Sequence, residues 1–432
     1  MSAPRRSSRR DRQSVRGALP EQRAGVGGEA DTRATAYGWV IFALILGLML
    51  SDYMSRQVLG AVFPLLKAEW QLSDEQLGRL GAVIPLIVGL LTFPLSLLAD
   101  RFGRVRAIVG MALLWSVATL LCGLARSYGE LLAARALIGV GEAAYGSVGL
   151  AVIIGAFPAR MRGVLTASFM AGGPLGSVLG VALGGTIAAG SGWRAPFEIM
   201  AAFGLMLALL FAVVAREKRL APPAMTERVP LRSVLAGARL RWIYLGSGLQ
   251  LFVSGALTAW LPSWFGRVHA LPVDKAGQAA AGILLFQALG MVVCGQLSDR
   301  LSLRDPAHRF RLAIALGLTS GLLLITGFLL PASPLQLLLI ALGAFLAAGT
   351  TGPVGSLVAQ LTPPALLATA FATLTLANNI FGLAPGPWVA GQLSQGSGIG
   401  TALALCSASP LLAALCFTRA RLSAPPDNTS PA

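Results

Sequence analysis

Long apolar stretches alternate with short polar segments along the 432 residues of the chain. A helix needs about 20 consecutive apolar residues to cross the hydrocarbon core of a bilayer. Twelve stretches of roughly that length can be placed, at residues 37–62, 76–99, 105–125, 130–156, 164–188, 196–215, 242–265, 277–297, 311–330, 335–360, 367–391 and 399–418. Ser73 and Gln76 have the spacing of a capping box, which predicts that a helix begins there. The pattern predicts an all-α membrane protein with twelve transmembrane helices.

The composition agrees with a chain embedded in a membrane. Hydrophobic residues make up 55% of the sequence and charged residues only 12%, whereas about a quarter of the residues of a soluble domain are charged. A net charge of +16 is typical of nucleic-acid binders when it forms a basic patch with interleaved aromatic residues. Here the positive charge lies in the loops between apolar stretches, so we expect no nucleic-acid partner.

The residue types that carry enzyme chemistry are few and scattered. The four cysteines lie singly in apolar runs, and the two histidines lie at loop edges. Neither set has the spacing of a metal site or a proton relay. The sequence also has no nucleophile motif and no Walker A motif. We therefore expect neither an enzyme nor a bound metal, cofactor or ATP.

The distribution of Lys and Arg predicts the orientation of the chain in the membrane. Most of the 34 basic residues lie in the termini and the even-numbered loops. The odd-numbered loops and their flanks hold only Lys67, Arg79, Arg126, Arg194, Arg267 and Lys275. Because basic loops stay on the cytoplasmic side, both termini are predicted to be cytoplasmic.

An internal repeat divides the chain into two halves. Asp100 recurs as Asp299, and Gly78 recurs as Gly277 at the same offset. Parallel repeats in an apolar chain are typical of transporters whose halves are related by an axis along the membrane normal. The predicted domains are a disordered basic cytoplasmic segment, a six-helix bundle, a cytoplasmic linker, a second six-helix bundle and a cytoplasmic tail, at residues 1–36, 37–215, 216–241, 242–418 and 419–432.

The repeated turn, G-x-L-a-D-R-x-G-R-x-R, resembles motif A of the major facilitator superfamily. Its residues are Asp100, Arg101, Gly103 and Arg104 in the first copy and Gly295, Asp299 and Arg300 in the second. The first glycine of the motif is Ser96 in the first copy, and the second copy has Leu303 and Asp305 in place of the later arginines. The resemblance implies two pseudo-symmetric six-helix bundles and a conformational role for this motif. We predict that Asp100 and Asp299 latch the cytoplasmic side.

Four charged residues lie deep within predicted helices: Asp52, Arg56, Arg135 and Glu142. Charge in lipid is costly, so such residues are expected to face a polar interior and to have a function. Asp52 and Arg56 are four residues apart and can pair on one helix face. Counting about 1.5 Å per residue, Asp52 and Glu142 lie at similar depth. A purely structural ion-pair cluster is the alternative interpretation.

The segment RALIGVGEAAY, from Arg135, resembles motif B of that superfamily. The segments DYMSRQVLGAVFPLL, from Asp52, and GVGEAAY, from Gly139, resemble its spinster branch, as does NNIFGLAPGPWVAGQL, from Asn378. The resemblance covers residues 37–418 and implies that Glu142 and Arg56 serve in proton coupling and substrate recognition. Animal members carry an acidic residue just before this arginine, where this chain has Ser55. A coupling role for Asp52, one turn earlier, is inferred from its depth.

Two further sets of residues complete the predicted site. Gly172, Gly176, Gly180 and Gly184 form a ladder of small residues that predicts close helix packing. The second half contributes uncharged polar groups, Gln250, Ser254, Thr258, Asn378 and Asn379. With Arg56 and Arg135, these are the predicted substrate-binding residues. Charge in one half and neutral groups in the other suit an amphiphile with an ionised head.

The sequence thus predicts a secondary active transporter, coupled to protons through Asp52 and Glu142. Its substrate would be an amphipathic organic anion or a lysolipid-like molecule, moved by alternating access. A proton-driven multidrug efflux pump and an organic-acid/proton symporter remain open, because each can use a midplane arginine and two acids. We expect a monomer in a bacterial inner membrane, with the lipid bilayer, protons and a small-molecule substrate as its partners.

Overall fold

The computed structural model describes residues 36–216, 237–303, 305, 307–363 and 366–423, which are almost entirely helical. The helices of the first half are α1 (Ala36–Trp70), α2 (Asp74–Phe102), α3 (Arg104–Leu124), α4 (Tyr128–Glu142), α5 (Tyr145–Ala156), α6 (Ala159–Ser191) and α7 (Arg194–Val214). The capping box at Ser73 and Gln76 begins α2.

The helices of the second half are α8 (Ala238–Val268), α9 (Val273–Ser302), α10 (His308–Leu329), α11 (Pro334–Ala348), α12 (Thr351–Leu361), α13 (Leu367–Asn378), α14 (Pro385–Ser397), α15 (Ile399–Cys406) and α16 (Ser409–Leu422). A π-helical segment, Asn379–Leu383, joins α13 to α14. The predicted segment 1–36 lies almost wholly outside the described residues, as do most of the predicted linker, 216–241, and most of the predicted tail, 419–432.

Ten helical segments are long and apolar enough to cross a membrane, counting α4 with α5, α11 with α12, and α15 with α16 as single segments. Two further segments bring the number to twelve. They are α8 and the segment that runs from α13 through the π-helical residues to α14. The predicted all-α architecture of twelve transmembrane helices is confirmed, since each predicted stretch corresponds to one of these twelve.

Four helices that the apolar pattern predicts as continuous are interrupted, and the twelfth of the set breaks at Ser407 and Ala408, between α15 and α16. The fourth transmembrane helix breaks at Ala143 and Ala144, and the tenth at Gly349 and Thr350. These two helices occupy equivalent places in the two repeats, so the break belongs to their shared plan. In the eleventh, the N–H of Ala384 donates to the carbonyl of Asn379, five residues earlier, at 2.9 Å. Pro385 follows directly and has no N–H to continue the α-helical ladder.

The glycine ladder of α6 lies against α1. A Cβ atom added to Gly180 would lie 2.7 Å from the carbonyl oxygen of Met54, and one added to Gly176 would lie 2.8 Å from that of Leu50. Small residues at such a crossing let two helix backbones approach closely. This contact holds α1, which carries Asp52 and Arg56, firmly within the first bundle.

The two halves also meet through glycines. A Cβ atom on Gly60 of α1 would lie 2.9 Å from the carbonyl oxygen of Ala259 in α8, and one on Gly185 of α6 would lie 3.3 Å from the Cα of Gly277 in α9. A larger side chain at either point would push the halves apart. The interface between halves is therefore built for close but separable contact.

The turn of motif A is short because of one glycine. Gly103 alone separates α2 from α3, and its φ of 91° lies in a region that residues with a Cβ rarely adopt. In the second repeat, the equivalent position is Ser302, and residues 303–307 connect α9 to α10. The loss of the glycine thus goes with a longer turn.

Candidate functional site

A central cavity of about 160 Å³ lies between the two halves. Its walls come from α1, α2, α4 and α6 on one side and from α8, the π-helical segment and α14 on the other. The polar side chains that line it are Tyr53, Arg56, Gln57, Arg135, Ser177 and Thr258. The cavity therefore has charged groups from the first half and a mostly neutral surface from the second.

An ion pair between two helices lies at this cavity. Nε of Arg56 in α1 is 3.5 Å from Oε2 of Glu142 at the end of α4, and their side chains are 11% and 2% exposed. The spacing of four residues predicted pairing of Arg56 with Asp52, but its ion pair joins it to Glu142. The guanidinium also lies over the ring of Tyr53, at 5.6 Å from the ring centroid.

Asp52 of α1 and Glu142 of α4 lie close enough for their carboxyl groups to interact electrostatically. Both residues are buried, at 5% and 6% exposure. Oδ1 of Asp52 and both carboxylate oxygens of Glu142 have no hydrogen-bond partner. Two ionised carboxylates that lie near each other repel, and a proton on one of them relieves that repulsion. The two carboxyl groups are therefore candidates for holding a proton.

Arg135 is buried against backbone carbonyls. Its Nε donates to the carbonyl oxygen of Leu80 at 2.7 Å, and one terminal nitrogen donates to that of Arg56 at 3.4 Å. It lines the cavity as well. These bonds tie α4 to α2 and α1, so Arg135 fixes the helices around Arg56 besides adding positive charge to the cavity.

Among the polar residues predicted for the second half, Thr258 lines the central cavity. The others bond within their own half: Gln250 donates to the carbonyl of Ala347 at 3.0 Å. Asn378 accepts from the hydroxyl of Ser247 at 2.7 Å, Asn379 donates to Thr375, and the carbonyl of Ser254 accepts from Thr258. In this conformation the side chains of Gln250, Asn378 and Asn379 bond to other helix residues and do not line the cavity. The buried hydroxyl of Ser254 has no hydrogen-bond partner and does not line the cavity either.

Sequence reasoning missed several cavity residues. Tyr53, Gln57 and Ser177 carry no formal charge, so a search for charge in apolar stretches does not find them. Tyr53 and Gln57 do flank Arg56 within the segment that resembles the spinster branch. That proximity is the signal that could have identified them.

The motif A residues lie near the C-terminal ends of α2 and α9 and at the start of α3. Arg104 donates to the carbonyl of Ala151 at 3.1 Å, and Asp299 lies 3.6 Å from Arg309 within its own half. Arg101 and Arg300 are exposed, and Gly295 lies against Gly352. The side chain of Asp100 lies outside the described part of the structure. The latch role stays a prediction, which transport by a membrane-inserted Asp100→Asn variant would test.

A polar network closes the molecule where α1 ends and α2 begins. Arg267 of α8 holds both carboxylate oxygens of Asp74, at 2.5 and 2.8 Å. Lys67 of α1 lies 2.5 Å from the same carboxylate, and Ser394 of α14 donates to it at 2.6 Å. The network joins the two halves. Sequence reasoning counted Lys67 and Arg267 only as loop charges and missed it.

Comparison with known protein families identifies the family to which this architecture belongs. The family model of the Major Facilitator Superfamily matches residues 44–383. The chain therefore belongs to the major facilitator superfamily, and it is a multi-pass membrane transporter protein of that class.

Spinster proteins are among its relatives in both sequence and fold. The chain is 25% identical over 389 residues to Protein spinster homolog 3 of Danio rerio, covering 83% of this chain and 77% of that protein. It superimposes, with a TM-score of 0.82, on an inward-facing, occupied crystal structure of a bacterial homolog to the human lysosomal transporter spinster. That structure shares 22% identity and covers 93% of this chain and 100% of its own. The resemblance to the spinster branch is confirmed.

One bacterial relative is named as an efflux pump and not as a spinster protein. The chain is 27% identical over 404 residues to an MFS-type efflux pump of Mycolicibacterium smegmatis, which covers 90% of this chain and 94% of that protein. Similarity to both kinds of transporter agrees with membership of the transporter superfamily. It does not decide the substrate, for which the residues of the cavity are the guide.

Proposed function

We propose that the protein is a proton-coupled secondary transporter that moves an amphipathic organic anion, such as a lysolipid-like molecule, across a bacterial inner membrane. The observation that carries this proposal is the Arg56 and Glu142 ion pair at a cavity between the two halves, with the carboxyl group of Asp52 beside it. In this proposal, the substrate binds and the proton is carried at the interface between the two halves that move.

Proton coupling is supported by the chemistry of the carboxyl pair. Asp52 and Glu142 are both buried, and Arg56 interacts electrostatically with each of them. When a substrate anion engages Arg56, it competes with Glu142 for the guanidinium. A Glu142 that loses its cationic partner becomes easier to protonate. Substrate binding and proton binding at this site are therefore linked.

The substrate class is supported by the two different walls of the cavity. Arg56 offers a planar group suited to carboxylate or phosphate. The second half adds Thr258 and apolar surface from Ala259, Leu383 and Pro387. An anionic head with an apolar body fits this arrangement. Organic-acid/proton symport uses the same head recognition but gives the apolar wall no partner.

Efflux of cationic drugs is the second candidate, favoured by Glu142 beside the cavity and by the similarity to the mycobacterial efflux pump. Proteoliposomes with an imposed pH gradient would separate these functions, using lysolipids, short organic acids and cationic dyes as substrates. We expect gradient-driven movement of the lysolipids. Movement of the dyes alone would establish the efflux function instead.

Membrane orientation follows from the basic loops, and we propose that both termini are cytoplasmic, in a protein that works as a monomer. The Asp74 network then closes the extracytoplasmic side. In a variant lacking the four buried cysteines, single cysteines at Arg241 and Lys275, both exposed, are expected to react with impermeant maleimide from opposite sides of the membrane. Labelling of both from one side would contradict this orientation.

A further inference from the structure

A second cavity, of about 280 Å³, lies outward from the central one between α1, α8 and the start of α9. By its volume it has room for about nine water molecules, at about 30 Å³ each. Its walls are mostly apolar, with Pro64, Pro262 and Leu271 among them, and its charged lining residues are Lys67 and Arg267.

The two cavities are stacked along the same pair of helices. Gly60 and Phe63 of α1 line the central cavity, whereas Ala61 and Pro64 line the outer one. The rings of Phe63 and Trp260, with centroids 5.0 Å apart, lie at the level between them. Lys67 lies eleven residues beyond Arg56 in α1, which corresponds to about 16 Å along the helix axis. A ligand passing Phe63 and Trp260 would thus reach the outer cavity next.

The outer cavity has more positive than negative charge at its edge. Lys67 and Arg267 share a single carboxylate, that of Asp74. The neighbouring acids have cations of their own, since Glu69 pairs with Arg194 and Glu75 with Arg79. In the first turn of α9, Asp274 and Lys275 add one charge of each sign. An anion entering the cavity therefore meets two cations and one competitor.

We propose that this outer cavity is a second binding site for the anionic head, carboxylate or phosphate, of an amphipathic molecule. Lys67 and Arg267 would exchange the carboxylate of Asp74 for that of the ligand, and the apolar chain would lie against Pro64, Pro262 and Leu271. Arg267 already holds a carboxylate through two of its nitrogens, which is the geometry that a ligand head needs.

Occupation of this site would also loosen the closed side. The bond between Arg267 and Asp74 joins the two halves, so a ligand that takes Arg267 from Asp74 removes a contact that keeps the side shut. Pro64 and Pro262 lie within their helices at the cavity wall, where each removes a backbone hydrogen bond and favours bending. This inference rests on the proposed amphipathic-anion transport and adds its exit step.

The test uses the full-length protein in phosphatidylcholine nanodiscs with photoreactive dodecyl phosphate and its uncharged dodecanol analogue. Mass spectrometry would locate the crosslinks at the central cavity, residues 53–60 and 63, or the outer one, residues 61, 64–67 and 262–276. Lys67→Gln and Arg267→Gln are expected to reduce outer labelling by the phosphate about tenfold. Asp74→Asn, which removes the competitor, is expected to increase it. Arg56→Gln should reduce central labelling only.

The outcomes separate this inference from the proposed function. Central labelling that depends on Arg56, with outer labelling that ignores Lys67, Arg267 and Asp74, would overturn the outer site alone. Equal outer labelling by phosphate and dodecanol would overturn it too. Absence of Arg56-dependent central labelling would instead count against the proposed function. The gain expected for Asp74→Asn cannot come from misfolding, so it decides the test if Arg267→Gln fails to fold.

One further experiment distinguishes a membrane lipid headgroup from a single-chain ligand as the anion that binds this site. In nanodiscs that contain phosphatidylglycerol, competition at the outer site would show that an anionic lipid head occupies it in the membrane. Undiminished labelling would show that the site prefers a single-chain ligand. Both results support an anion site, and they assign it to different natural occupants.

Discussion

A Glu142→Gln variant is expected to lose accumulation of substrate driven by a pH gradient while it retains exchange of substrate across the membrane. In this variant, glutamine keeps the shape of the side chain but cannot bind or release a proton. Exchange needs only the movement of the two halves with substrate bound, and that movement uses the glycine contacts and the Asp74 network. Coupling needs a group that titrates beside Arg56.

The measurement is uptake of labelled substrate into proteoliposomes. For one proton per electroneutral cycle, a gradient of one pH unit supports about tenfold accumulation. The wild type is expected to approach that ratio, and Glu142→Gln is expected only to equilibrate. Counterflow in the absence of a gradient reports exchange. Accumulation by Glu142→Gln at the wild-type level would place the coupling proton elsewhere.

Two further variants sharpen this result. Glu198→Gln changes an exposed glutamate of α7 and should leave accumulation unchanged, which controls for the substitution itself. Asp52→Asn removes the other member of the carboxyl pair. If Asp52 and Glu142 share one proton, Asp52→Asn is expected to impair coupling as well, because the remaining carboxyl group then lacks its partner.

The number of helices could be predicted because a bilayer imposes one length on every spanning segment. The same physics identified Asp52, Arg56, Arg135 and Glu142, since charge in apolar stretches is rare. Their partners could not be predicted so well. The sequence suggested that Arg56 pairs with Asp52 on one helix, but the ion pair crosses to Glu142. Which face of α1 meets α4 depends on packing between helices, and local spacing does not contain it.

The Asp74 network shows the same limit more strongly. Asp74 begins a helix just after a capping residue, and its place in the sequence predicts only a helix start. Its partners Lys67, Arg267 and Ser394 come from α1, α8 and α14. Such a contact arises when the two halves close, so it belongs to one conformation rather than to the sequence pattern of any helix.

The sequence indicates some of the breaks within helices better than others. The interruption in the eleventh transmembrane helix follows from Pro385 and its neighbouring glycines, which the sequence displays. The break at Ala143 and Ala144 has no proline, and alanine favours continuous helix. Tertiary contacts override propensity there: the hydroxyl of Tyr145 donates to the carbonyl of Ile45 at 2.6 Å. That bond ties the start of α5 to α1, next to the carboxyl pair.

An Arg56→Lys variant is expected to bind an anionic amphiphile about tenfold more weakly, and Arg56→Gln still more weakly. Lysine keeps the positive charge but presents a single ammonium group, which cannot form two parallel hydrogen bonds to a carboxylate or phosphate. It also loses the planar contact of the guanidinium with the ring of Tyr53. If charge alone mattered, lysine would be sufficient.

Equilibrium binding of a radiolabelled lysolipid anion to the purified protein, with a cationic dye in parallel, measures this difference. Arg126→Lys changes an exposed arginine ahead of α4 and is the matched control, expected to bind both ligands as the wild type does. The dye should bind Arg56→Gln as well as the wild type or better, because a positive charge has been removed from the cavity beside Glu142. One outcome would contradict the proposal of an anionic substrate. In that outcome the wild type binds only the dye, and dye binding survives Arg56→Gln but not Glu142→Gln. Glu142 would then recognise a cationic substrate, and the protein would be an efflux pump for cations rather than a transporter of anionic amphiphiles.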